Sequence, residues 1–269
     1  MKRHIEIMDT TLRDGEQTSG VSFSASEKLT IAQLLLTELK VDRIEIASAR
    51  VSDGEFQAVK KITEWAAIHG YLNKVEVLTF VDGGTSVQWM LDAGAKVMNL
   101  LTKGSLNHLK HQLKKTPEQH FKEIEETISL AKLKGLSVNV YLEDWSNGMR
   151  NSADYVFQYL DFLVTQPIER VLLPDTLGIL TPYEVCVFIK QLITRYPQTH
   201  FDFHAHNDYD LATANALEAV RCGVHGLHLT VNGMGERAGN AHLASVIAVL
   251  NDYQKDVKTS VCEKSLYRV

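Results

Sequence analysis

The chain has 269 residues, 45% hydrophobic and 23% charged, with 28 Lys and Arg against 33 Asp and Glu for a formal charge of −5. That length suits one closed α/β barrel, and the composition provides for a large core. A mild negative balance without a basic block gives no electrostatic case for nucleic acid or an anionic membrane as partner, and no segment reaches the roughly 18 apolar residues of a membrane span. The first residues lack the apolar core of a signal peptide, so a cytoplasmic protein is expected.

In chain order, β-rich runs fall at 5–9, 43–48, 74–81, 96–101, 137–144, 170–175, 200–206 and 226–232. Between them lie amphipathic stretches, including 26–39, 55–69, 116–134, 181–196 and 209–221. Strand and helix alternate throughout at spacings of roughly 30 residues, which predicts a closed (β/α)8 TIM barrel rather than a doubly wound open sheet. No linker, repeat or low-complexity tract interrupts it, so residues 1–269 are read as a single domain. Ser26 is the expected N-cap of the first helix, and Thr181 followed by Pro182 marks another start. Gly135 and Gly223 sit where left-handed helix ends are expected. Cys186, Cys222 and Cys262 are odd in number and lack metal spacing, which reads as reduced thiols.

Strand alternation places chemistry on the inner faces. In 200–208, His200, Asp202, His204, His206 and Asp208 share one face and Phe201, Phe203 and Ala205 the other. Asn139, Tyr141 and Glu143 share a face in the fifth run, as do His228, Thr230 and Asn232 in the last. A structural barrel interior is dominated by branched apolar residues, so these polar faces call for a functional explanation. His204 and His206 at a strand end can share a cation, and Asp14 in the loop after the first strand is the candidate carboxylate. The glycines of the segment Asn232-Gly-Met-Gly-Glu-Arg-Ala-Gly-Asn240 are wrongly spaced for a dinucleotide fold. A loop after the last barrel strand suits coenzyme phosphates instead, with Asn232, Gly233 and Gly235 as candidates; the plain alternative is a tight turn needing positive φ.

Three segments together, Asp9-Thr-Thr-Leu-Arg-Asp-Gly-Glu-Gln17, His204-Ala-His-Asn-Asp208 and Asn232 to Asn240, resemble the 2-isopropylmalate, homocitrate and citramalate synthase family over essentially the whole chain. The resemblance implies condensation of acetyl-CoA with a 2-oxo acid on a divalent cation (zinc, manganese or magnesium), then thioester hydrolysis, in branched-chain amino acid biosynthesis. It implies Asp14, His204 and His206 as ligands with Asn240 near the metal, Arg13 as catalytic arginine and Glu143 as catalytic carboxylate, and it suggests a homodimer. Thr176 is the candidate partner of the substrate carboxylate. Leu78, Leu101 and Tyr141 face inward, and bulky apolar groups there favour pyruvate over branched 2-oxoisovalerate. The stretches after Leu101 and Tyr141 look most like the citramalate synthase branch. The family normally continues into helical and regulatory segments beyond the barrel, which are not expected within these 269 residues. Two other readings are an acyl-CoA lyase, for which a cysteine-bearing loop after strand eight is expected and not found, and a non-catalytic metal-binding barrel.

Overall fold

In the computed structural model, which describes residues 2–268, eight parallel strands close into one barrel. They are β1 (Glu6–Asp9), β2 (Arg43–Ser48), β3 (Val75–Phe80), β4 (Val97–Lys103), β5 (Ser137–Glu143), β6 (Arg170–Asp175), β7 (Phe201–Ala205) and β8 (Gly226–Leu229). β1 pairs with both β2 and β8, so the barrel has no free edge. The outer ring contains α1 (Ala25–Gln33), α2 (Asp53–His69), α3 (Thr85–Asp92), α4 (Pro117–Leu133), α5 (Ala153–Leu163), α6 (Pro182–Arg195), α7 (Ala212–Cys222) and α8 (Leu243–Tyr253). A pair of two-residue strands, Arg3–His4 with Val257–Lys258, lies outside the barrel sheet. Two residues are too few to show an alternation, so the sequence carries no sign of it.

Helix starts follow side-chain chemistry, with one correction. The N-cap of α1 is Ser24, not Ser26: its Oγ accepts the Glu27 N–H, and the Glu27 carboxylate accepts the Ser24 N–H at 2.7 Å. Both serines precede the apolar pattern, and only the reciprocal partner three residues on distinguishes them. Thr181 caps α6 with Pro182 in its first turn, as expected. Gly135 and Gly223 adopt φ of +77° and +114°. The helix expected from 209 begins at Ala212, because the Asn207 side chain accepts the Ala212 N–H and residues before it form a turn.

The main core lies between sheet and helices, with Ile44, Ile46, Val138, Val140, Leu173, Phe201 and Phe203 facing outward onto the ring. Phe121 of α4 stacks on Tyr159 and Phe162 of α5, centroids 5.0 Å apart in each case. Inside the barrel a smaller cluster of Met8, Leu78, Tyr141 and Leu172, with Leu101 against it, forms an apolar plug. Toward the N-terminal ends of the strands the interior is charged and hydrogen-bonded. Arg43 pairs with Glu76 at 3.0 Å and with Asp202, and Asn99 links Glu45 to Asn139 at 2.7 and 2.8 Å. The polar inner faces therefore divide: Asp202, Asn139 and His228 belong to this buried network, while Asp14, His204 and His206 gather at the strand ends.

Candidate functional site

The loop after β1 is shaped by its own side chains. The Asp9 carboxylate accepts the Thr11 N–H and hydroxyl at 2.9 and 3.0 Å, and the Thr10 carbonyl accepts the N–H groups of Arg13, Asp14 and Gly15. Burial pushes the Asp9 carboxyl up to about 7, against the opposing effect of the Thr11 hydrogen bonds. Thr11 Oγ1 also accepts the Val231 N–H at 2.8 Å, tying this loop to the one after β8. Glu16 points elsewhere: it pairs with the buried Lys28 at 2.6 Å.

This backbone turn carries Asp14 to the end of β7. Its Oδ2 lies 3.1 Å from His204 Nε2 and 4.0 Å from His206 Nε2, and the two Nε2 atoms are 3.4 Å apart. All three residues are buried. Ligands about 2.1 Å from one cation are about 3.0 Å apart in octahedral and about 3.4 Å apart in tetrahedral geometry. Two of the three separations already match the edges of a coordination polyhedron, and the third, Asp14 to His206 at 4.0 Å, is longer. Both Asp14 oxygens and Asn240 Oδ1 are buried without a hydrogen-bond partner, as are the Nδ1 atoms of both histidines. Burial opposes ionisation of Asp14, but Arg13 and the histidines hold its carboxyl well below the usual range. Burial and the adjacent His204 push the His206 imidazole down to about 3, which keeps it neutral, the form that ligates. An anionic carboxylate facing two imidazole nitrogens, with unpartnered acceptors around them, fits a divalent cation.

Arg13 lies beside this trio. Its Nε and Nη2 engage Glu45 Oε2 at 2.6 and 2.5 Å, while Nη1 is 3.3 Å from Asp14 Oδ1. Glu45 is fully buried, so the pair fixes the guanidinium from below. Arg13, Asp14, His204 and His206 line a cleft of about 160 Å³ together with Leu78, Leu101, Tyr141, Glu143, Thr176 and Glu236. Every catalytic or substrate-wall candidate from the sequence therefore meets in one place. The Tyr141 hydroxyl is 2.9 Å from His228 Nδ1, and His228 Nε2 is 3.2 Å from Asp202, so the phenol is anchored from within the barrel. Burial holds it well above its usual range and therefore protonated. Thr176 Oγ1 accepts the Asp144 N–H at 2.9 Å, which leaves the hydroxyl proton free to donate.

The loop after β8, expected to approach coenzyme phosphates, is held by hydrogen bonds within the protein. Asn232 and Gly233 take left-handed backbone, and the N–H groups of Gly233 and Gly235 go to Thr230 O and Thr18 Oγ1. Neither glycine amide is left for a phosphate. A Cβ on Gly235 would lie 2.1 Å from Asn240 Nδ2, so this glycine exists to let Asn240 close in. Asn240 donates to Met234 O at 2.9 Å and pairs through its backbone with His206.

Sequence reasoning missed Glu45, Lys103 and His108. Lys103 pairs with Glu143 Oε2, and His108 Nδ1 is 3.9 Å from Oε1. Arg43 and Glu45 alternate with Ile44 and Ile46, which was the available signal for Glu45. Lys103 and His108 carry none, since their meeting with Glu143 depends on strand pairing and a short intervening helix.

The sequence model of the HMGL-like family matches residues 4–269. A protein named probable 2-isopropylmalate synthase from Ignicoccus hospitalis is 36% identical, over 99% of this chain and 64% of that protein. The (R)-citramalate synthase of Methanocaldococcus jannaschii is 37% identical, over 98% of this chain and 52% of its own. The chain spans about half to two thirds of the length of such curated relatives. Among solved structures, the HMG-CoA lyase of Brucella melitensis superposes with a TM-score of 0.76 at 18% identity, covering 99% of this chain and 96% of that one, a likeness of fold.

Proposed function

The chain belongs to the HMGL-like family, and from that premise we propose that it is the catalytic barrel of an acyltransferase condensing acetyl-CoA with a 2-oxo acid. The observation that carries this reading is the convergence of Asp14, His204 and His206 beside Arg13, under an apolar wall, in a single cleft. The synthase names of the curated relatives support it.

A divalent cation held by Asp14, His204 and His206, with Asn240 beside them, would supply Lewis-acid polarisation of the keto group, and nitrogen and oxygen donors accept zinc, manganese or magnesium. The protein's own residues do the rest. Thr176 donates its hydroxyl proton to the substrate carboxylate. Glu143 removes a methyl proton from acetyl-CoA through the oxygen not engaged by Lys103. The resulting carbanion attacks the keto carbon, forming the C–C bond, and Arg13 donates to the oxygen that gains charge. That oxygen takes up a proton, and water then cleaves the thioester to a carboxylate and the free thiol of coenzyme A.

Leu78, Leu101 and Tyr141 crowd the side of the cleft where the substrate's alkyl group would lie, which favours pyruvate and hence citramalate. One methylene is worth only about 1–3 kcal/mol, so larger oxo acids are accepted more weakly rather than rejected. The second reading is 2-isopropylmalate synthesis from 2-oxoisovalerate, which the name of the Ignicoccus hospitalis relative favours. Either product belongs to branched-chain amino acid biosynthesis. Residues 1–269 are then one catalytic domain, cytoplasmic and homodimeric. A lyase is disfavoured because the stretch from Asn232 to Gly235 contains no cysteine.

The test is release of free thiol from acetyl-CoA across pyruvate, 2-oxoisovalerate and 2-oxoglutarate, each with Zn2+, Mn2+ and Mg2+. Release is expected to be fastest with pyruvate. No release with any oxo acid from a chain that binds the cation would overturn the assignment.

A further inference from the structure

Two cysteines far apart in sequence meet on the outside of the barrel. Cys186 lies on α6, while Glu218 and Cys222 lie one turn apart on α7, a spacing that sets both on one helix face. The helices pack side by side, and Cys186 Sγ, Cys222 Sγ and a Glu218 carboxylate oxygen all lie within 4.8 Å of one another. The Cys222 thiol donates to Glu218 Oε1 at 3.5 Å, and Arg221 Nη1 approaches the other oxygen, Oε2, at 3.6 Å. None of these residues lines the cleft described above. We propose that Cys186, Glu218 and Cys222 form a second, sulfur-rich site for a thiophilic divalent cation of the Zn2+ class.

The geometry needs little adjustment. With Zn–S of about 2.3 Å and Zn–O of about 2.1 Å, tetrahedral edges are about 3.8 Å for S···S and about 3.6 Å for S···O. The Cys222–Glu218 separation is already at that edge. Cys186 and Glu218 are both partly exposed, so rotation of their side chains closes the remainder and solvent supplies a fourth ligand. The Cys222 thiol already turns Oε1 toward the sulfur, and Arg221 lies 3.6 Å from Oε2 on the other side of the carboxylate.

Charge and softness agree with the geometry. Two thiolates and one carboxylate carry three negative charges, and a divalent cation leaves one. Lys190, one turn beyond Cys186 on α6, and Arg221 stand close enough to offset it. Paired thiolates select Zn2+ over Mg2+ or Mn2+, which the nitrogen and oxygen donors of the cleft accept. Binding exchanges thiol protons for the cation and cross-links α6 to α7, stabilising the native chain by mass action.

Co2+ is the probe, because thiolate ligation gives a near-ultraviolet sulfur-to-metal charge-transfer band that nitrogen and oxygen ligands do not. Titration of the full reduced chain without oxygen is expected to end at two Co2+ per chain, with the sulfur band present. Cys186→Ser, a partly exposed position, is expected to abolish the band, leave one Co2+ bound and leave thiol release unchanged. Glu218→Gln is expected to retain the band with affinity at least about tenfold weaker. Absence of the band at two equivalents, or a band unaltered by Cys186→Ser, overturns the proposal. So does a Cys186–Cys222 disulfide in chains alkylated before cell lysis.

Discussion

Asp14 holds its charge because a guanidinium and two imidazoles face it, and its oxygens accept nothing else from the protein. His204→Ala or His206→Ala is therefore expected to remove the cation from the cleft and with it the activity. Mn2+ titration is the suitable measurement, since Mn2+ is poorly matched to thiolates. Retained Mn2+ stoichiometry in both variants counts against the ligand set. Beside the role proposed for it in the chemistry, Arg13 neutralises the buried Glu45. Arg13→Ala should retain Mn2+ while turnover falls at least about a hundredfold, the cost of one lost oxyanion donor. It also strands Glu45, fully buried, with only Asn99 for a partner, so stability should fall by about 3–5 kcal/mol. Turnover measured per folded chain separates the two effects, and a near-normal value removes Arg13 from the chemistry. Leu78→Ala should raise the use of 2-oxoisovalerate relative to pyruvate by about tenfold or more. An unchanged ratio means that the apolar wall does not set specificity.

Elements place these residues, and caps and glycines place the elements. Ser24→Ala is expected to cost about 1 kcal/mol and Ser26→Ala only a few tenths in chemical denaturation, because only Ser24 closes the reciprocal pair with Glu27. Equal losses would mean that the cap contributes little. Gly235→Ala is the sharper test of the loop after β8. Its Cβ would meet Asn240 Nδ2 at 2.1 Å, so Asn240 must move away from His206. Cation affinity is expected to fall about 10–100-fold with the fold intact, the usual size of an outer-shell defect around a metal. Unaltered affinity would show that Asn240 is not needed near the cation. The strand and helix runs were readable because each exceeds its own period: 200–206 alternates over several residues, and 181–196 spans four turns. The cap of α1, the turn before α7 and the strands at Arg3 and Val257 were not, since each depends on one hydrogen bond or on a partner remote in sequence.

Across the whole molecule, closure of the barrel buries ionisable groups that no local pattern marks as buried. Burial pushes His120 down to about 4 and His228 down to about 3, so both are neutral in the native state. Their unfolded values lie near 6.5, so the unfolded chain binds more protons in between. Their stabilising contribution is complete above about pH 6.5 and is lost as pH falls toward 4. Asp9, raised to about 7, acts in the opposite sense over that window, so the informative quantity is a difference. Between pH 7 and 5, the urea midpoint of His120→Gln is expected to fall less steeply than that of the unmodified chain. Parallel slopes would mean that His120 titrates normally. Among the described residues no helix is long and apolar enough to cross a membrane. The sequence by itself determined the barrel and the inner and outer faces of its strands, and it singled out His204 and His206 at a strand end as candidate ligands. Period and strand-end position are local properties, and one chain displays them. Only the tertiary structure decided which polar interior residues are free to act. Arg43 pairs with Glu76 and Asp202 inside the closed sheet, while Asp14 and the two imidazoles reach the open end with acceptor atoms left unpartnered. It also brought Cys186 to Cys222, because the packing of α6 on α7 is set by the curvature of the barrel and by nothing in either helix alone.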